Sequence, residues 1–120
     1  MKRILVVDDS VTMRQLMKMI LIKQLPCQIT EAQDGLDALA KLKDGVFDLI
    51  VTDVNMPRMD GLGLVRSARE VLKLTVPIII VTTKGGEADR DMGLKLGANA
   101  YLTKPINGLQ VIKTVNELLG

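Results

Sequence analysis

With 120 residues, the chain is long enough for one domain whose core needs neither disulfides nor metals. Its composition, 48% hydrophobic and 25% charged, is typical of a soluble globular protein, and a net charge of +2 argues against binding nucleic acid or membranes by bulk electrostatics. The absence of histidine excludes catalytic triads and imidazole bases, and a single cysteine excludes a structural zinc site. The remaining carboxylates, lysines and hydroxyls favour a hard, oxygen-seeking cation.

The chain shows no sign of export or membrane insertion. No apolar stretch is long enough to span a bilayer, and the first residues lack the cleavage site of a signal peptide. The single cysteine, Cys27, fits a reducing compartment. We therefore predict a cytoplasmic protein that does not insert into membranes.

Five β-rich runs alternate with five helical patterns along the chain. The predicted strands lie near 3–7, 28–32, 49–52, 77–82 and 100–103. The first, third and fourth are almost continuously Ile, Val and Leu, as expected of parallel strands buried on both faces. The second alternates with polar residues and is typical of an edge strand. This alternation predicts an α/β fold, in which helices cover both faces of a parallel sheet.

The predicted helices are amphipathic, and some have recognisable ends. Ser10 is predicted to cap the first helix and Asp34 the second, which ends at Gly45. The fourth, near 87–96, has a thin apolar stripe, and Gly85-Gly86 at its start supplies flexible backbone. The fifth lies near 109–119. The predicted apolar positions are Met13, Met17, Ile20 and Leu21; Leu36, Leu39, Ala40 and Lys43; Leu62, Val65, Ala68 and Leu72; Ala88, Met92 and Leu96; and Val111, Ile112, Val115 and Leu119.

Polar residues stand at the ends of four predicted strands, where each strand gives way to a loop. They are Asp8 and Asp9 after the first, Asp53 after the third, Thr82 at the end of the fourth and Lys104 after the fifth. Each has an ordinary explanation by itself, as a helix cap, a turn residue or a surface charge. Because the carboxyl ends of parallel strands share the edge where open α/β sheets bind ligands, we expect these side chains to lie together.

Three carboxylates gathered at one edge need a positively charged partner. At about 4 Å and an effective dielectric near 20, two carboxylates repel each other by about 4 kcal/mol, so one of them should protonate without compensation. A divalent cation removes this conflict, and Lys104 offsets it further. Mg²⁺ suits such a site, because it binds through one or two carboxylates plus phosphate oxygens. One carboxylate then remains free to attack phosphorus, and Thr82 is placed to donate a hydrogen bond to the transferred group.

The chain resembles the receiver domain of two-component response regulators, and most closely the single-domain chemotaxis type. The matching segments are ILVVDDS at 4–10, DLIVTDVNMP at 48–57, MDG at 59–61, IVTT at 80–83 and GANAYLTKP at 97–105. They span essentially the whole chain, so the resemblance is specific. It implies a doubly wound, flavodoxin-like (βα)5 fold with five parallel strands in the order 2-1-3-4-5.

The resemblance also implies a role for each residue of the site. Asp53 is implied to be the phospho-acceptor, and Asp9 to bind Mg²⁺ directly. Asp8 would act on the metal largely through water, and the backbone carbonyl of Asn55 would complete the protein's ligands. Lys104 would contact the phosphoryl group.

A conformational switch is implied as well. Thr82 would move towards the phosphoryl group, and Tyr101 would swing from an exposed to a buried position. These movements would change partner binding on the face formed by the fourth helix, fifth strand and fifth helix. In the family, the bond between Lys104 and Pro105 is a cis peptide.

Three positions depart from the commonest family pattern. Lys84 lies where the family, together with Asn55, tunes loss of the phosphoryl group. Thr83 is larger than the usual residue and can crowd the phosphoryl site, and Ile106 stands where phenylalanine is frequent. None of these changes removes a required group.

The implied function is that of a phosphorylated switch rather than an enzyme, with residues 1–120 forming one response regulatory domain. The expected partners are a histidine kinase as phosphodonor and a downstream target protein, in chemotaxis or motility control and without direct nucleic-acid binding. The alternative is a receiver excised from a longer regulator with a DNA-binding or enzymatic output domain.

Three other classes fit the sequence less well. A flavin carrier of this architecture needs a phosphate-binding loop after the first strand, where Asp8 and Asp9 would repel a phosphate. A phosphohydrolase with an aspartate nucleophile carries a second acid two residues later, where this chain has Asn55. A receiver used only for docking or dimerisation would not need the complete set of acids, threonine and lysine.

Overall fold

The computed structural model describes residues 1–83 and 86–120, in which strands and helices alternate. The strands are β1 (Lys2–Val7), β2 (Cys27–Ala32), β3 (Leu49–Asp53), β4 (Ile78–Thr82) and β5 (Ala100–Thr103). The helices are α1 (Val11–Gln24), α2 (Gly35–Asp44), α3 (Gly61–Arg66), α4 (Glu87–Leu96) and α5 (Gly108–Leu119), and a π-helical turn over Ser67–Val71 continues α3. Each strand begins and ends within one residue of its prediction. Among the helices of the described residues, none has the length and apolar character needed to cross a membrane.

All five strands are parallel and form one sheet in the order β2-β1-β3-β4-β5. The doubly wound order and the edge position of β2 are therefore confirmed. The chain runs from β1 outwards to β2 and then returns past β1 to β3, so the winding direction reverses between β1 and β3. In open α/β sheets, ligands bind in the crevice at the carboxyl ends of the strands where this reversal occurs.

The sheet buries an apolar layer on each of its faces. Every residue of β3 and β4 is buried, as predicted for parallel strands covered on both sides. Alternate residues of β1 divide between the faces: Leu5 and Val7 pack with α2 and α3, whereas Ile4 and Val6 pack with α1 and α5. Each such side chain contributes about 1.5–3 kcal/mol by leaving water, which makes the sheet a rigid base for the loops at its carboxyl edge.

The predicted inward face of α2 is wrong by roughly one residue. Leu36 is 43% exposed, and the helix buries Gly35, Ala38 and Leu42 instead. The reason lies at the start of the helix, where Gly35 N donates a hydrogen bond to Met59 O at 2.9 Å. A Cβ at Gly35 would lie 2.6 Å from the same oxygen, so only glycine fits where the start of α2 meets the loop that follows β3.

The predicted apolar stripe of α4 is wrong for two of its three residues, and only Leu96 packs against the core. Ala88 and Met92 are exposed, and the buried residue of the helix is Gly93. A Cβ at Gly93 would lie 2.3 Å from Ile80 Cδ1, so the closest approach of α4 to β4 is made by the backbone of Gly93. The flexible start predicted at Gly85-Gly86 includes Gly85, which lies outside the described residues. Lys84 lies outside them as well.

Asp34 caps α2 as predicted and also binds an arginine from another loop. Its Oδ1 accepts a hydrogen bond from Asp37 N at 2.8 Å, and its Oδ2 accepts one from Arg58 Nε at 2.8 Å. The Arg58 hydrogen bond holds the pKa of the Asp34 carboxyl below its ordinary value of 3.8. A lowered folded-state pKa stabilises the protein above pH 3.8, and this contribution is lost as the pH falls through the folded-state value.

We expect Asp34→Asn to lower the free energy of unfolding at neutral pH, because asparagine keeps the cap but loses the charge that pairs with Arg58. The variant and the parent protein should converge as the pH falls below 3.8. Urea unfolding at neutral and acid pH measures both effects. Asp60→Asn, the same change at the cap of α3, controls for the cap chemistry, and a deficit of Asp34→Asn that persists in acid would contradict the assignment.

Candidate functional site

The strand register brings the predicted site residues to one edge of the sheet. Val7 at the end of β1 is aligned with Thr52 in β3, so Asp8 follows directly beside Asp53. At the other side of β3, Asp53 is aligned with Val81, the residue before Thr82. The ends of β4 and β5 continue this alignment, because Lys104 N donates a hydrogen bond to Thr82 O at 2.8 Å.

Three carboxylates form an acidic cluster at this edge. One oxygen each of Asp8, Asp9 and Asp53 can be chosen so that all lie within 4.8 Å of one another. Asp8 and Asp53 are both 7% exposed, whereas Asp9 is exposed. The cluster therefore has two buried members and one that opens to solvent.

Lys104 brings a positive charge to the two buried acids. Its Nζ lies 3.3 Å from Asp53 Oδ1 and 3.8 Å from Asp8 Oδ2. The shorter distance places the ammonium beside one carboxylate oxygen of Asp53. The peptide bond between Lys104 and Pro105 is cis, as the family resemblance implies.

Burial raises the pKa of the Asp8 carboxyl above its ordinary value of 3.8. The Ser10 backbone N–H, which donates to Asp8 Oδ1 at 2.9 Å, acts in the opposite direction. The negative charge of Asp53 raises this pKa further, Lys104 lowers it, and Asp9 raises it again. The cluster thus holds more negative charge than Lys104 offsets.

The residues present fit a small divalent cation such as Mg²⁺. The donor atoms of the cluster are all carboxylate oxygens, the ligands that hard cations prefer. A cation would also relieve the repulsion by Asp53 and Asp9, which adds to burial in raising the pKa of Asp8. Because Asp9 is exposed, the cluster is accessible from solvent on one side.

Thr82 and Tyr101 line the same cavity. Thr82 is 4% exposed, and its hydroxyl donates a weak hydrogen bond to Leu102 O at 3.5 Å. Tyr101 is 39% exposed, and the guanidinium of Arg90 lies 5.1 Å from the centroid of its ring. The cavity has a volume of about 140 Å³ and is lined in part by Thr82, Arg90, Tyr101 and Thr103.

The remaining predicted residues lie near the site without a contact that defines a role. Asn55 is exposed in the loop that follows β3, two residues after Asp53. Thr83 is exposed next to Thr82 and lines the same cavity. Ile106 is half-buried and borders a small cavity together with Asp8 and Asp53. The predicted role of Lys84 concerns a residue that the structure does not describe.

Sequence reasoning missed Arg14, which lies under the loop that carries the two neighbouring acids. Its Nη1 donates a hydrogen bond to the backbone oxygen of Asp8 at 2.7 Å. The signal was present in the sequence, because Arg14 stands three residues before Met17 and seven before Leu21. That spacing places a charged side chain on the inward face of α1, where it needs a polar partner.

Comparisons with known proteins agree with this geometry. The family model for the response regulator receiver domain matches residues 4–116. The chain is 41% identical over 120 residues to the chemotaxis protein CheY1 of Helicobacter pylori, covering 98% of this chain and 95% of CheY1. It is 40% identical to the transcriptional regulatory protein ResD of Bacillus subtilis, but it spans only 48% of that longer protein. Among solved structures, chemotaxis response regulator CheY4 of Vibrio cholerae matches with a TM-score of 0.90 and 35% identity over 99% of both chains.

The family match extends over nearly the whole chain and includes every residue of the acidic cluster. The similarity to chemotaxis proteins is not confined to one segment, since it covers 98% of the chain. The resemblance noted in the sequence is therefore confirmed at the level of the family and of the fold. The chain belongs to the response regulator receiver domain family of two-component signalling proteins.

Proposed function

We propose that the protein is a phospho-acceptor switch in which Asp53 takes a phosphoryl group from a histidine kinase. The observation that carries this proposal is the position of the Lys104 ammonium, 3.3 Å from Asp53 Oδ1 at the edge of a three-carboxylate cluster. A buried carboxylate beside the Lys104 ammonium, next to two further acids that would hold a divalent cation, is arranged to receive a dianionic group. Family membership supports the same reaction class.

In the transfer step, a carboxylate oxygen of Asp53 attacks phosphorus to form an acyl phosphate. The phosphorus–nitrogen bond of the donor's phosphohistidine breaks, and its electron pair leaves with the imidazole nitrogen. Lys104 moves from pairing with the Asp53 carboxylate to pairing with the phosphoryl oxygens. Bound Mg²⁺, with Asp8, Asp9, Asp53 and the carbonyl of Asn55 as its protein partners, would supply further positive charge to those oxygens.

The output step is proposed to run through Thr82 and Tyr101 to the face formed by α4, β5 and α5. The hydroxyl of Thr82 gives up only a weak hydrogen bond of 3.5 Å when it turns towards the phosphoryl group. The adjoining cavity of about 140 Å³ offers room near the ring of Tyr101. These features support a two-state change in which phosphorylation shifts the population towards the partner-binding surface.

The partners and pathway are proposed from the relatives. CheY1 of Helicobacter pylori is a chemotaxis protein of similar length, which favours a downstream target in chemotaxis or motility control. We propose that residues 1–120 act as one response regulatory domain in the cytoplasm, as a switch rather than an enzyme. The similarity to half of ResD keeps the alternative of a receiver that belongs to a longer transcriptional regulator.

Incubation with Mg²⁺ and acetyl phosphate should add a single phosphoryl group, measured by intact-protein mass spectrometry. Asp53→Asn should abolish this addition, because asparagine offers no carboxylate nucleophile. Asp48→Asn is the matched control: it changes the carboxylate just before the start of the same strand, where Asp48 Oδ2 accepts from Arg3 N, and should leave labelling unchanged. The proposal fails if the parent protein takes up no phosphoryl group or if Asp53→Asn is still labelled.

A further inference from the structure

Arg14 joins the loop of the acidic cluster to the edge of the sheet through two separate hydrogen bonds. Its Nη1 donates to Asp8 O at 2.7 Å, and its Nε donates to Glu31 Oε1 at 3.0 Å. The Arg14 side chain is 14% exposed and that of Glu31 is 35% exposed. Arg14 belongs to α1 and Glu31 to β2, so the contact ties this helix and this strand to the turn between β1 and α1.

The acceptor at Asp8 is the main-chain oxygen and not the carboxylate. That oxygen belongs to the peptide unit that links Asp8 to Asp9, so a hydrogen bond to it restrains the orientation of this unit. The other side of the turn is held as well, because Asp8 N donates to Ala32 O at 3.1 Å and Ser10 N donates to Asp8 Oδ1 at 2.9 Å. With these bonds in place, the direction in which the Asp9 side chain leaves the backbone is restricted.

Glu31 holds the arginine in the position that reaches this oxygen. Its carboxylate accepts from Nε, which leaves the Nη1 end of the planar guanidinium pointing at the turn. The strand around Glu31 is itself tied to α2, since Lys41 Nζ donates to Glu31 O at 2.5 Å. The arginine is thus supported by β2 rather than by the loop that it restrains.

We propose that Arg14, anchored by Glu31, is a positioning residue that holds Asp8 and Asp9 in the arrangement required to bind a divalent cation. This inference rests on the proposed function, because it assigns a support to the same metal site. Outer hydrogen-bonding partners commonly orient the groups that contact a metal, and their loss weakens metal affinity about 10–100-fold. Arg14 touches neither the metal nor the phosphoryl group.

The test uses the full chain and measures Mg²⁺ binding by titration calorimetry. Arg14→Lys keeps the positive charge but replaces the guanidinium fork with one ammonium, which lacks the two separate, fixed donors that reach Glu31 and Asp8 O. It should bind Mg²⁺ about ten-fold more weakly than the parent protein. Arg66→Lys, at an exposed arginine paired with Glu70 on α3, is the matched control and should bind as the parent does.

A second pair of variants separates geometry from charge. Glu31→Gln keeps an oxygen that can accept from Arg14 Nε and should retain nearly full Mg²⁺ affinity, whereas Glu31→Ala should lose about as much as Arg14→Lys. If Glu31→Gln and Glu31→Ala are equally weakened, the effect is one of charge, and the positioning role is overturned. Unchanged Mg²⁺ affinity in Arg14→Lys overturns it as well.

The dependence of acetyl phosphate labelling on Mg²⁺ concentration supplies the second readout. In Arg14→Lys, half-maximal labelling should require about ten-fold more Mg²⁺, while the rate at saturating Mg²⁺ should return to that of the parent protein. A rate that stays low at saturation would indicate general damage to the site and would overturn the proposal. Failure of the proposed function would look different, because the parent protein would then bind Mg²⁺ without becoming labelled.

Discussion

Gly61→Ala is expected to destabilise the protein by about 3 kcal/mol and to displace Asp53. A Cβ at Gly61 would lie 2.1 Å from the backbone oxygen of Asp53 and 2.9 Å from Val54 Cα. Both atoms belong to the backbone segment that carries Asp53, so they cannot yield without moving Asp53. Gly61 N also donates to Val54 O at 2.8 Å, which holds α3 against this segment. Urea unfolding measures the loss of stability, and acetyl phosphate labelling measures the effect on the site.

Gly63→Ala is the matched control for this prediction, because it makes the same change two residues later in α3. Its Cβ would lie 3.1 Å from Met59 Cγ, a side-chain atom that can shift. Alanine also favours a helix over glycine by about 1 kcal/mol, so Gly63→Ala should keep or gain stability. Equal stabilities of the two variants would contradict the close packing of α3 against Asp53.

Asp8→Asn is expected to have opposite effects on stability and on metal binding. In the metal-free protein, the buried Asp8 carboxylate lies beside Asp53 and Asp9, and its pKa is raised. Two charges about 4 Å apart repel by about 4 kcal/mol at an effective dielectric of 20. Because Lys104 and solvent offset much of this repulsion, we expect Asp8→Asn to raise the free energy of unfolding by about 1 kcal/mol. Asparagine retains the Oδ1 acceptor for Ser10 N, so the turn should be preserved.

The gain should depend on pH in a direction set by the raised pKa of Asp8. An acid whose folded-state pKa lies above its ordinary value lowers stability above that folded-state pKa, and the penalty disappears below 3.8. The stabilisation by Asp8→Asn should therefore be absent in acid and grow as the pH rises through the folded-state value. Urea unfolding in the presence of a chelator, across this pH range, measures the difference.

Adding Mg²⁺ should reverse the order of stabilities. A cation bound to the folded state stabilises it, and Asp8→Asn should bind Mg²⁺ at least about ten-fold more weakly. Asp9→Asn is the comparison variant: it should also weaken Mg²⁺ binding, but its gain without metal should be smaller because Asp9 is exposed. A destabilised Asp8→Asn in the chelated protein at neutral pH would contradict the repulsion described here.

The strands were predictable because their signals are local and repeated, whereas their order was implied by the family resemblance. Continuous Ile, Val and Leu runs mark β1, β3 and β4, and the polar alternation at 28–32 marks the edge strand β2. The inward faces of α2 and α4 were only partly predictable from periodicity, which found Leu39 and Leu96 but not the glycines. Gly35 and Gly93 lie at those contacts, where a residue without a side chain carries no hydrophobic signal although its backbone makes the closest approach.

The chain's local patterns therefore account for which chemical groups stand at the strand ends and for the family to which the protein belongs. Each apolar run and the polar residue that follows it stand within a few positions of one another in the sequence. The distances within the site depend instead on contacts between different parts of the chain. Examples are the 3.3 Å from Lys104 Nζ to Asp53 Oδ1, the hydrogen bond from Arg14 to Asp8 O and the close approach of Gly61 to Asp53 O. Such contacts depend on how the helices pack on the sheet, and packing is a property of the assembled core that no single segment contains.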